Sequence, residues 1–129
     1  MMEVTINGQL TKVPPCTCGK CIVRRLRKDC YEISKKREAN GSVSTRGILK
    51  HLSTEVIEVC QADTDYEHLQ DYLNDDQINE LKEELGEEIA DVIICCFIEA
   101  GIKGIDMEKA LLAKIEKNRA RAERQGDKL

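Results

Sequence analysis

Glu55 and Glu58 stand three residues apart, and so do Glu88 and Asp91. Helical residues at that spacing share one side, so each pair projects two carboxylates in the same direction. If their helices run antiparallel, the pairs converge into a four-carboxylate pocket, and a divalent cation is the physical means of holding so much negative charge together. Oxygen-only ligands select a hard ion, Mg2+ first and Mn2+ second, and leave coordination positions open for water and phosphate. The competing interpretation is a solvated acidic face. Paired acids are common on exposed helices, and the run Glu80, Glu83, Glu84, Glu87, Glu88 must generate some by chance. The neighbouring residues weigh toward metal: Glu55 lies between Leu52 and Val56, Glu58 adjoins Val59, and Glu88 and Asp91 interleave with Ile89 and Val92. Carboxylates that border an apolar stripe are costly unless something neutralises them.

A second set of residues suits anions. Lys114, Asn118 and Arg121 are spaced by four and three, one stripe on a helix, with Lys117 beside it. Lys and Arg offer charge to phosphate oxygens and the Asn amide adds a neutral donor. Alone they describe an ordinary solvated tail; opposite an acidic metal pocket they become phosphate clamps. A third set is built on sulfur. Cys16, Cys18 and Cys21 form C-x-C-x-x-C, and Cys18-Gly19-Lys20-Cys21 has the shape of a zinc knuckle, with Cys30 available as a fourth thiolate. The separated second C-x-x-C pair usual in a zinc ribbon is missing, so Zn2+ binding and free thiols both stay open. Cys60, Cys95 and Cys96 fall on apolar faces and read as small core residues. His51 and His68 are isolated in sequence and suit a helix surface or a loop better than catalysis.

The elements that must position these groups are mostly helical. With 129 residues the chain has room for one domain and a small appendage. Its 41% hydrophobic and 34% charged content, with 3% aromatics and no Trp, favours helices over sheet. No stretch approaches a membrane span, and Met1 to Thr11 lacks a signal-peptide profile, so a cytoplasmic location is expected. The odd count of seven cysteines agrees with that expectation. Charge is uneven: +8 over residues 12–50, −14 over 51–110 and +3 over 111–129. Such a distribution collects cations in the middle and anions at the edges, and makes nucleic acid a poor partner for the acidic block.

Along the chain, Asn7-Gly8 between Val4–Ile6 and Gln9–Val13 predicts a tight β-hairpin. Ile22 to about Ala39 reads as a basic helix stopped by Asn40-Gly41. Ile48, Leu49, Leu52, Val56 and Val59 mark a second helix ending near Ala62, and Asp63 to Asn74 is expected to be a loop. Asp75 or Asp76 is expected to cap a third helix whose stripe runs from Ile78 through Leu85 and Val92 to Phe97, before Gly101. Asp106 then caps a fourth helix that passes into a basic tail. The resulting expectation is an all-α helical bundle (42–129) preceded by a hairpin, a Cys-rich segment and a basic helix (1–41). The run Ile93 to Ile98 is apolar all round its helix, so burial from more than one side, and hence a homo-oligomer, is expected.

These segments resemble a known family. Leu49 to Val59 with its Glu55-x-x-Glu58, Glu87 to Ile93 with its Glu88-x-x-Asp91, and Lys114 to Arg119 look like the MazG-like all-α nucleoside triphosphate pyrophosphohydrolases. The likeness covers about residues 45–122, with Thr54 standing where many members carry another acid. It implies Mg2+-dependent hydrolysis of (d)NTPs between the α and β phosphates, to NMP and pyrophosphate, by a dimer or tetramer. Carried over, Glu55, Glu58, Glu88 and Asp91 become metal ligands, Glu55 or Glu58 the proton acceptor, and Lys114 and Asn118 phosphate contacts. Arg121 extends that set by its place on the stripe. Two alternatives accompany this reading: a phosphoribosyl-ATP pyrophosphohydrolase, and a non-catalytic helical adaptor or dimerisation module with a Cys-rich metal-binding segment. Nothing in the sequence reads a base.

Overall fold

The computed structural model describes residues 2–13, 18–37 and 44–125. Among them the order is β1 (Met2–Ile6), β2 (Gln9–Val13), α1 (Gly19–Arg37), α2 (Thr45–Leu69), α3 (Asp75–Lys103) and α4 (Met107–Gln125). The fold is all-α with a small N-terminal hairpin, as the composition predicts. Asn7 and Gly8 both take positive φ, 52° and 77°, the backbone that matches a two-residue turn to strand twist, and the antiparallel register pairs Ile6 with Gln9 and Met2 with Val13. No described helix is long and apolar enough to cross a membrane.

The helices start and stop for local reasons. Ser44 caps α2, its Oγ accepting from the Gly47 N–H at 3.1 Å. The cap of α3 is Asn74 rather than Asp75 or Asp76. Its Oδ1 accepts from the Gln77 N–H (2.9 Å), while its own N–H donates to Gln77 Oε1 (3.1 Å), a reciprocal pair that neither aspartate is placed to make. Asp106 caps α4 as expected, accepting from the Lys109 N–H at 3.1 Å. Two further expectations are corrected. The segment from Asp63 is helix as far as Leu69, because Ala62 and Tyr66 continue the half-buried stripe of Leu52 and Val59 and so gain from packing what the acidic composition loses. Helix α3 also runs past Gly101 and ends where Gly104 adopts φ 66°, the left-handed stop. The Asn40-Gly41 stop expected for α1 lies outside the described residues.

Helices α2 and α3 form the main packing pair, and their order is antiparallel: Ile48, early in α2, meets Cys95 and Ile98 late in α3, whereas Glu55 meets Glu88 and Asp91. Helix α1 lies across α3, with Cys30 and Tyr31 against the Ile48–Cys95–Ile98 core. Gly101 permits that approach, since a Cβ there would stand 2.8 Å from the Tyr31 ring. Helix α4 packs on α1, where Arg27 Nε lies 3.4 Å from the buried Glu108 and its guanidinium donates to the Ile105 carbonyl at 3.5 Å. The core is small. Ile48, Cys95, Phe97, Ile98 and Ala100 are buried, but Ile57 (68% exposed), Ile93 (48%) and Ile115 (49%) are not. Cys95 is the core residue its apolar position suggests; Cys60 and Cys96 are exposed, because they fall on helix sides that no other described element covers.

Candidate metal centre

The antiparallel register of α2 and α3 brings the four predicted carboxylates together. One oxygen each from Glu55, Glu88 and Asp91 lies within 4.8 Å of the other two, the only such grouping of candidate ligands among the described residues. Glu58 stands against both Glu55 and Glu88, close enough to share a proton with either. Glu55 is buried at 6% exposure, Glu88 is half-buried, and Glu58 and Asp91 are exposed, so the site has a floor and a rim.

The electrostatics are those of an uncompensated acidic cluster. Burial raises the Glu55 carboxyl above its ordinary range, the charges of Glu58 and Asp91 and the hydrogen-bonding approach of Glu58 raise it further, and His51 opposes them. Glu88 is raised by burial first, then by its hydrogen bond and charge contact with Glu58, then by Asp91 and Glu55. No lysine or arginine among the described residues acts on either group. Glu55 Oε2 and Glu88 Oε2 are buried without a hydrogen-bond partner, which costs free energy unless a cation takes the place of the missing donors. Carboxylate oxygens are the donors a hard divalent ion selects, so the three closest carboxylates fit such an ion in donor type.

His51 joins this centre although the sequence reading gave it no part. Its Nε2 is 2.9 Å from Glu55 Oε1, and the signal available in sequence was its position one helical turn before Glu55. Beside the carboxylates lies a cavity of about 500 Å3 between α1, α2 and α3, with His51 and Asp91 in its wall.

Other predicted residues are placed apart. Lys114 and Arg121 are exposed and Asn118 is half-buried on α4, which packs mainly against α1. Of the cysteine set, Cys16 lies outside the described residues, Cys18 is exposed and Cys21 half-buried. Cys30 does not complete a four-thiolate site with them. It follows Cys21 by nine residues on the same helix, about 13 Å along the axis, and faces the core, whereas Zn–S bonds are about 2.3 Å. Glu108 was missed: in the first turn of α4, its burial against Arg27 depends on α1 crossing there. No protein-family model matches the chain, and no curated protein or solved structure matches it.

Proposed function

We propose that this protein hydrolyses a (deoxy)nucleoside triphosphate between the α and β phosphates, releasing NMP and pyrophosphate, as a MazG-like Mg2+-dependent enzyme working in the cytoplasm. The observation that carries the reading is the convergence of Glu55, Glu88 and Asp91 from two antiparallel helices, with Glu58 against them and two buried carboxylate oxygens left unpartnered. Glu55, Glu58, Glu88 and Asp91 would hold Mg2+, or Mn2+ in its place, and the bound ion supplies charge to neutralise the carboxylates and the phosphate oxygens. Glu58, exposed on the rim, is the carboxylate best placed to take a proton from the attacking water as the oxygen bonds to the α-phosphorus and the pyrophosphate departs. His51 holds Glu55 in one orientation through its 2.9 Å contact.

In this reading the phosphate contacts of Lys114, Asn118 and Arg121 are made to the site of a second copy of the chain, since α4 packs mainly on α1. The exposed Val56 on α2, Ile89 and Ile93 on α3, and Leu111, Leu112 and Ile115 on α4 are apolar surface that a homodimer or homotetramer would cover. The test is pyrophosphate release from a panel of (d)NTPs and phosphoribosyl-ATP by wild type and Glu58→Ala, with and without Mg2+. We expect release only by wild type with Mg2+, and a folded but inactive variant by circular dichroism. Turnover without a divalent ion, or equal turnover by Glu58→Ala, overturns the reading; no turnover and no Mg2+ binding leaves the helical adaptor.

A further inference from the structure

The cavity beside the carboxylates has no part in the chemistry described so far. At about 500 Å3 it falls within the roughly 300–1,000 Å3 usual for small-molecule sites. Its walls come from three helices: Cys30, Ile33 and Ser34 of α1, Ile48 of α2, Cys95 and Ile98 of α3. His51 supplies an imidazole and Asp91 a carboxylate to its lining, and both belong to the carboxylate side, His51 through its 2.9 Å contact with Glu55. A molecule whose phosphates engage the acidic cluster therefore has this cavity as the adjacent cleft for its organic half.

The lining restricts what that half can be. Burial raises both thiols, Cys30 and Cys95, above their ordinary value, and nearby carboxylates add to the effect, so they stay protonated and act as small apolar surfaces. His51 is the one ring among the described lining residues, its Nε2 engaged by Glu55, and no lysine or arginine is among them, so a second anionic group is not provided for. Hydrogen-bonding capacity rests on two hydroxyls. Ser44 Oγ already accepts from the Gly47 N–H to cap α2. Ser34 is half-buried, one helical turn from Cys30, and its hydroxyl makes no hydrogen bond among the described residues. A hydroxyl can both donate and accept, so a half-buried one without a partner is matched by a polar edge on an uncharged ligand.

We propose that this cavity receives the nucleoside half of the substrate, and that Ser34 is the specificity-determining residue, hydrogen-bonding to an uncharged base or sugar edge. The inference rests on the pyrophosphohydrolase reading and deepens it: the site takes a simple nucleoside triphosphate, and a substrate with a second phosphorylated arm, such as phosphoribosyl-ATP, finds no cation to receive that arm. It also gives α1, which lies outside the stretch that resembles the family, the wall that reads the substrate.

The experiment compares wild type, Ser34→Ala and the cavity-filling Ser34→Phe, each checked for helicity by circular dichroism. It measures KM and kcat over the (d)NTP panel, Mg2+-dependent binding of inorganic tripolyphosphate, and binding of free nucleosides by ligand-observed NMR. Expected for Ser34→Ala is a KM for the preferred nucleotide raised roughly five- to tenfold, the loss of about one hydrogen bond, with kcat within twofold and a flattened base preference. Expected for Ser34→Phe is loss of nucleoside binding with tripolyphosphate binding unchanged. Folded variants that keep the wild-type base preference and nucleoside binding overturn the proposal. If no nucleotide turns over but nucleosides bind wild type and not Ser34→Phe, the cavity assignment stands and the hydrolase reading falls. If neither occurs, both fall.

Discussion

At the scale of single residues the centre is defined by strain in its charge balance. Glu55 and Glu88 are held above their ordinary carboxyl range, so the folded chain binds protons there more readily than the unfolded one. Linkage fixes the sign: their contribution to stability is fully present below the unfolded carboxyl value of about 4.5 and is lost as pH rises through the raised folded values. Metal-free protein in a chelator should therefore melt at a lower temperature at pH 8 than at pH 5. Mg2+ should raise the melting temperature at pH 8 far more than at pH 5, where protons compete for the same oxygens. In Glu88→Gln the metal-free melting temperature should be higher than wild type at pH 8, and the Mg2+ response should be lost; differential scanning calorimetry reads both. A wild-type profile that is flat in pH and indifferent to Mg2+ contradicts this electrostatic picture.

Helix-to-helix contacts decide whether those residues meet. The α2–α3 pair is fixed by the Ile48–Cys95–Ile98 contact and by caps at Ser44 and Asn74, which set where each helix begins. The position of α1, and with it one wall of the cavity, depends on Gly101. A methyl there would stand 2.8 Å from the Tyr31 ring, and the ring cannot yield without lifting α1 from α3. Gly101→Ala should cost about 1–3 kcal/mol, the usual range for overpacking. Adding Tyr31→Ala should recover part of that loss, so that urea denaturation of the two single variants and the double shows non-additive free energies. Additive costs would mean that the two residues do not oppose each other across this contact.

For the whole molecule, the small buried core and the packing of α4 mainly on α1 point the same way. A chain that leaves Ile93, Ile115 and Ile57 about half or more exposed has apolar surface to cover, and the proposal places Lys114 and Arg121 against the carboxylates of a second copy. Sedimentation should find a dimer or tetramer. Subunit mixing tests the sharing directly. Glu88→Gln and the pair Lys114→Ala with Arg121→Ala should each be inactive, whereas dimers refolded from an equal mixture should regain about a quarter of wild-type activity. That fraction follows because half of randomly paired dimers are mixed, and each mixed dimer holds one site with intact carboxylates and an intact clamp. No recovery in verified mixed dimers would place clamp and acids in one chain.

Local signals settled much of this. Asn7-Gly8 specified the hairpin, the apolar spacing of Ile48 to Val59 and Ile78 to Phe97 specified two helices, and the pairs Glu55-x-x-Glu58 and Glu88-x-x-Asp91 named the carboxylates, because turn geometry and helical period are properties of a few neighbouring residues. Other features required the tertiary contacts. The acidic stretch from Asp63 to Leu69 is helical because Tyr66 has a surface to pack on, which composition does not reveal. Cys60 and Cys96 are exposed, and Glu108 is buried, according to which helix lies across them. His51 acquires its role because the α2–α3 register gathers acids around its neighbour Glu55, and Ser34 because α1 crosses at Gly101. Short-range spacing selects which groups share a helix side, but the side that is covered, and therefore every burial, perturbed carboxyl and cavity wall, is fixed only when the helices pack.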